Sequence, residues 1–233
     1  MNNLKANVIG GGLAGCEAAW TLANNGIKVT LYEMKPQKRS PAHHMDTLCE
    51  LVCSNSLKAS RIESAAGLLK EEMRKLGSIT MMAAEKTSVG AGGALAVDRD
   101  LFSEFVTEKI SKHPNIKIIN KEIDALDFED VTIVATGPLT SDILAEKIKE
   151  ICGDSLSFYD AAAPIVTKDS LDMSKAFAAS RYDRGDSDYL NCPFNEEEYS
   201  AFYEALINAE SVVLKEFEQA VPTVYEGCMT IEI

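Results

Sequence analysis

Three features of this 233-residue chain have residue types and spacings that could do chemistry. Two are cysteines, Cys53 in LCELVCSNSLKAS and Cys228 in YEGCMTIEI. A thiolate is a strong nucleophile, and one of its uses is addition to C6 of a uracil ring, which makes the otherwise unreactive C5 nucleophilic. A lone cysteine also serves as small apolar packing, so neither residue decides its own role. The third feature is VIGGGLAGCEAAW, where Gly10, Gly12 and Gly15 fit G-x-G-x-x-G around Gly11, Leu13 and Ala14. Such a turn lets backbone approach a pyrophosphate at a helix N-terminus. Glu33 follows 18 residues after Gly15, where a carboxylate can accept hydrogen bonds from a ribose hydroxyl.

The elements that must position these residues can be read locally. ANVIG is a short β-branched strand, CEAAWTLANN a helix with Ala18, Ala19, Leu22 and Ala23 at helical spacing, and IKVTLYE a second strand after Gly26, so residues 5–33 form a βαβ unit. A long polar loop is expected over 35–60. Ser60 is expected to cap a helix over RIESAAGLLKEEMRKLG, with Ile62, Ala65, Ala66, Leu69, Met73 and Leu76 on its buried face and Gly77 at its end. Asp98 caps a helix from about Arg99 to Lys112. NIKIIN, EIDALDF and VTIVATG read as three strands, the last apolar enough for a buried parallel strand, followed by the helix SDILAEKIKEIC. Beyond Gly153 the pattern changes to an extended LSFYDAAAPIVT, a polar loop over 168–194 and a helix over NEEEYSAFYEALINAESVVLKEFEQA, with Asn195 and Glu198 in capping-box positions. The expected fold class is α/β. A Rossmann-like dinucleotide-binding domain is expected over 1–150. The start of a second, α+β insertion domain occupies 151–233.

The net charge of −13 is uneven: residues 1–120 carry 15 basic against 12 acidic residues, and the remainder 8 against 24. Lys35, Lys38, Arg39, Lys58 and Arg61 make a modest basic cluster of the kind that meets RNA phosphates, although solvated surface is the blander reading. No run reaches the length of a membrane span and no signal peptide is visible, so a cytoplasmic protein with reduced thiols is expected. The glycine fingerprint does not choose between FAD and NAD. The strand ending in Ala135, Thr136 and Gly137 favours FAD, because A-T-G at that place recurs in flavoproteins with two dinucleotide sites.

The stretches VIGGGLAGCEAAWTLA, ELVCSNSLKA, GGALAVDRDLFS and YEGCM together resemble the folate- and FAD-dependent tRNA (uracil-5-)-methyltransferases. The resemblance implies FAD on Gly10, Gly11, Gly12, Leu13, Ala14, Gly15, Glu33, Thr136 and Gly137, reduction by NAD(P)H, and 5,10-methylenetetrahydrofolate as carbon donor to C5 of the T-loop uridine of tRNA. Cys53 and Cys228 match the family's two cysteines, one as nucleophile and one as acid/base or flavin-site partner, in an order the sequence leaves open. The chain departs from the family in stopping five residues after Cys228 and in carrying Thr230 where proline is usual, so the resemblance implies a fragment whose FAD-binding domain, of the two-dinucleotide flavoprotein type, lacks its returning segment. Gly11 and Cys16 also differ from the commoner residues there. Other readings are the same chemistry on ribosomal RNA, a flavin disulfide reductase using Cys49 and Cys53, and a non-catalytic FAD-binding fragment. A zinc site from His43, His44, Cys49 and Cys53 has irregular spacing, so no metal is expected and the histidines are assigned to exposed loop.

Overall fold

A computed structural model of the chain describes residues 4–52, 54–153, 166–180 and 186–210. The chain divides into two compact units, Met1–Leu156 and Ser157–Ile233. In the first, KANVI forms β1 (Lys5–Ile9), the glycine turn opens α1 (Leu13–Asn24), and KVTLYE forms β2 (Lys28–Glu33). The helix buries Gly15, Cys16, Ala19 and Ala23, residues small enough to let it lie close on the sheet. Next come β3 (Ser56–Ala59), α2 (Ala65–Lys75), α3 (Ile79–Lys86), β4 (Ser88–Val89), β5 (Ala94–Val97) and α4 (Arg99–Ser111). The unit continues with β6 (Ile116–Asn120), β7 (Val131–Val134) and α5 (Asp142–Cys152).

Strands β6, β2, β1 and β7 lie in that order in one parallel sheet. This is the 3-2-1-4 order of a doubly wound dinucleotide fold, which gathers the carboxyl ends of β1, β2 and β7 at the glycine turn. The fold class is the expected one. Val8, Leu31 and Ile116 of the sheet pack with Ala19 and Ala23 of α1 and with Phe102, Val106 and Ile110 of α4. Asp98 caps α4, its carboxylate accepting from the amides of Asp100 and Leu101 at 3.1 and 3.0 Å. A second, antiparallel sheet has the order β3, β5, β4.

Several sequence expectations differ from what is found. The loop over 35–60 ends in β3, and a separate helix, α3, follows Gly77. Ser60 does not cap α2: its hydroxyl donates to the Gly93 carbonyl, while Ser64 accepts from the Gly67 amide at 3.0 Å and starts the helix four residues later. The apolar face assigned to α2 is only in part its inner face, since Met73 packs against the core. Gly67 and Lys70 are buried, and Ile62, Leu69 and Leu76 are exposed, together with Leu68. The reason is a close approach: a Cβ on Gly67 would overlap the Arg61 carbonyl, so this glycine lies against the 59–61 backbone and turns the leucines outward.

EIDALDF is not a strand. Its Ile123, Leu126 and Phe128 instead pack over Ile9, Tyr32, Leu144 and Ile148, so the segment covers the second sheet face with side chains rather than pairing its backbone. Strand β7 is parallel as expected, but at a sheet edge, where Val131 is 73% exposed. Apolar composition does not distinguish an edge from a centre until the neighbours are known.

The second unit contains a 3-10 turn at Lys168–Ser170, an antiparallel hairpin of β8 (Phe177–Ala179) and β9 (Tyr189–Asn191) where polar loop was expected, and α6 (Glu196–Ile207). Asn195 and Glu198 form the expected reciprocal capping box on α6. LSFYDAAAPIVT lies almost wholly outside the described residues.

Candidate functional site

The turn between β1 and α1 is fixed by backbone approach on one side and left open on the other. Gly10 has φ +103°, and a Cβ there would stand 2.6 Å from the Ala135 carbonyl oxygen. A Cβ on Gly15 would overlap the Gly10 carbonyl oxygen, so only glycine lets the helix start this close to the strand. Gly12 differs: a Cβ there meets nothing within 4 Å. The Gly12 carbonyl accepts the first helical hydrogen bond from the Cys16 amide at 2.9 Å. The amides of Leu13, Ala14 and Gly15 therefore have no acceptor within the helix. No acidic residue stands in that first turn, and Leu13 and Ala14 are exposed. The site is a cradle of free donors at the positive end of a helix dipole, which suits an anion.

Glu33 closes β2 beside this turn and is 8% exposed. Its Oε2 accepts from the Gly11 amide at 2.7 Å and its Oε1 from the Lys35 amide at 2.9 Å. Each carboxylate oxygen keeps further acceptor capacity, so Glu33 can hold the turn in shape and still accept a ribose hydroxyl. Thr136 and Gly137 continue β7 past Gly10; the Thr136 hydroxyl shares a 2.6 Å hydrogen bond with that of Thr140, and Gly137 has φ +68°. The structure thus brings together all nine residues read from the sequence as a dinucleotide site: Gly10, Gly11, Gly12, Leu13, Ala14, Gly15, Glu33, Thr136 and Gly137.

A strap over residues 34–51 braces the turn, and the sequence reading missed it. The Cys49 amide donates to the Gly11 carbonyl at 2.8 Å, the Cys16 thiol donates to the same oxygen at 3.2 Å, and Leu48 packs against Gly11. Cys16 and Cys49 are wholly buried against each other, and that thiol–thiol contact, then burial, pushes the Cys49 thiol well above its ordinary pKa. Such a thiol is an inert packing group. Lys35 was grouped with the surface cations, but its side chain is 4% exposed. Its Nζ donates to the Thr47 carbonyl at 2.6 Å and stands 3.5 Å from Glu50 Oε2, so it is an interior brace. Glu50 also accepts from the amides of His44 and Met45. One side-chain atom of the strap, Thr47 Oγ1, is buried with no hydrogen-bond partner among the described residues.

The other members of the basic cluster separate. Lys38 pairs with Glu122 at 2.6 Å, Arg39 pairs with Asp46, and Lys58 and Arg61 are exposed on and after β3. His43 is not simply exposed loop: its Nδ1 is 2.6 Å from the Ser40 hydroxyl. Burial first, and then the Lys35 charge, lowers its pKa below 6.5. His43 and Cys49 thus direct polar atoms at Ser40 and Cys16, and no group of three metal-ligating side chains occurs among the described residues. Cys53 and Cys228 lie outside the described residues. No described helix is long and apolar enough to cross a membrane.

The family model described as "Glucose inhibited division protein A" matches residues 5–233. The chain is 59% identical over 226 residues to the methylenetetrahydrofolate--tRNA-(uracil-5-)-methyltransferase TrmFO of Geobacter sulfurreducens, covering 97% of this chain and 52% of that protein. It is 60% identical over 229 residues to the protein of the same name from Geotalea uraniireducens, covering 98% and 52%. With that of Bacillus subtilis it shares 57% identity over 234 residues, covering 100% and 53%. The chain spans about half the length of these relatives.

Proposed function

We propose, for a chain that belongs to the glucose-inhibited division protein A family, that it is the dinucleotide-binding portion of a folate- and FAD-dependent tRNA (uracil-5-)-methyltransferase. The observation that carries this reading is the near-complete coverage of this chain, glycine cradle included, by relatives bearing that name. The cradle fits FAD in its chemistry: free amides at Leu13, Ala14 and Gly15 for the pyrophosphate, open space at Gly12, and a carboxylate at Glu33 for a ribose hydroxyl.

In this reading residues 1–150 hold FAD and residues 151–233 begin the substrate domain. When bound, FAD supplies redox chemistry, with NAD(P)H as reductant and 5,10-methylenetetrahydrofolate as carbon donor. The protein's own part is orientation, exclusion of water and nucleophilic activation of the base. One of Cys53 and Cys228 adds its thiolate to C6 of the T-loop uridine, so that C5 can take the carbon. The other serves as acid/base or flavin-site partner. The uridine must leave its stack to be reached. NAD(P)H, tRNA and a cytoplasmic setting belong to the same proposal.

The test is the flavin absorbance near 450 nm of the purified 233-residue chain, with methylation of a tRNA transcript assayed on the same sample. Retained flavin and methylation sustain the whole reading. Colourless protein that melts cooperatively overturns the assignment of FAD to residues 1–150. Gly12→Val is expected to fold like the parent, because a Cβ there meets nothing within 4 Å, and to lose the flavin.

A further inference from the structure

Helix α2 buries a charge and exposes its leucines. Lys70 is 8% exposed, and its ammonium donates to only two groups, the carbonyls of Ala59 and Ala66, both at 3.1 Å. An ammonium has three protons to donate, so one has no recorded acceptor. No carboxylate lies within ion-pair distance of Lys70 among the described residues. The charges that act on it are cationic, Arg74 and Lys58, and they add to burial in lowering its pKa. Arg74 is balanced by Glu71 and Glu85. Lys58 and Arg61 are exposed and pair with no carboxylate among the described residues.

Buried charges are ordinarily paired. Among the described residues Lys70 meets carbonyl oxygens and no carboxylate, and the charge of Lys58 acts on it. The local backbone is held to this arrangement: Ala59 ends β3, the Ser64 hydroxyl donates to the Arg61 carbonyl, and Gly67 packs on that carbonyl. The Lys70 ammonium thus lies at the end of β3, within reach of the Lys58 charge, and Arg61 is exposed just after that strand.

We propose that Lys70, Lys58 and Arg61 form a phosphate-binding corner that holds a backbone phosphodiester of the substrate RNA. The proposal rests on the tRNA reading above and adds the site. A phosphate there gives Lys70 the negative charge that no carboxylate among the described residues provides. It also gives a use to the proximity of the catalytic segment. Lys58 follows Cys53 by five residues, a chain reach of at most about 18 Å, so a phosphate held here belongs to a nucleotide near the base offered to that cysteine. Lys35, Lys38 and Arg39 have internal partners and are not part of this corner.

The experiment is binding of a fluorescein-labelled T-arm stem-loop RNA to the full 233-residue chain, followed by anisotropy across a salt series. Each phosphate contact contributes roughly 0.7 to 0.9 to the slope of log K against log salt. Lys70→Met keeps the buried stem and is expected to make the slope shallower by that amount; Lys70→Arg is expected to keep it. Lys58→Gln, at an exposed position that does not test the core, is expected to lose a similar increment. A folded Lys70→Met with the parent's slope overturns the proposal. If Lys70→Met does not fold, an unchanged slope in Lys58→Gln overturns it instead. RNA binding by the parent with unchanged variants sinks this corner alone, whereas no binding by the parent sinks the tRNA reading with it.

Discussion

The glycine turn with its strap and the corner between β3 and α2 both place charged groups under cover, and they satisfy them differently. Around the turn every described charge has partners: Glu33 accepts from two amides, and Lys35 meets Glu50 and the Thr47 carbonyl. In α1, Glu17 accepts from the hydroxyls of Ser78 and Thr80 and from the amides of Ile79 and Thr80, tying the helix to the start of α3. At the corner Lys70 has carbonyls but no counterion among the described residues, and Leu68, Leu69 and Leu76 are exposed. In the first region the buried charges are matched by protein groups. The second is a surface.

That contrast fails first if the turn tolerates substitution. Gly15→Ala puts a methyl group into the Gly10 carbonyl, where the strand, the turn and α1 would have to separate. Overpacking of this kind costs about 3 kcal/mol or more, and we expect a large loss of urea stability. Parent-like stability would show that the turn is looser than its contacts imply. Lys35→Met comes next. It leaves Glu50 buried without its cation, and losing one partner of a buried pair costs about 3 kcal/mol; the amides of His44 and Met45 offset part of that. A midpoint unchanged in urea would place Lys35 back among the surface cations.

A smaller effect comes from His43. Its pKa is lowered by burial and by Lys35, so the unfolded chain takes up a proton before the folded one does. The folded state is unaffected above the unfolded value near 6.5 and loses stability as the pH falls through the lower folded value. Urea titrations at neutral and mildly acidic pH are expected to show a steeper loss for the parent than for His43→Gln. Equal losses in the two proteins would mean that the histidine titrates as if it were exposed.

What could be read from the sequence follows the same division. The βαβ unit, Gly26, the Asp98 cap and the Asn195–Glu198 box are set by residues within a few positions of one another, so short-range rules found them. Helix α3 depends on Glu17, 61 residues before Ser78, and β4 is only two residues long; neither has a local signal strong enough to find. The glycine turn was legible because so close an approach of strand and helix requires glycine at fixed spacing. Lys35 and Lys70 were not, because a lysine in a polar loop or an amphipathic helix reads as solvated until its neighbours are known.

Helix α2 supplies the mildest test. The periodic leucines read as a buried face, yet Leu76 is 84% exposed and Leu69 56%. Surface substitutions away from special contacts change stability by less than about 0.5 kcal/mol, so Leu76→Gln and Leu69→Gln should leave the urea midpoint where it was. Met73 packs against the main core from the same helix, and Met73→Ala should lower it. If instead the leucine variants lose as much as Met73→Ala, the helix is rotated in solution, with its leucines inward and Lys70 outward. The exposed ammonium would then need no anion, and the difference between the two regions would disappear.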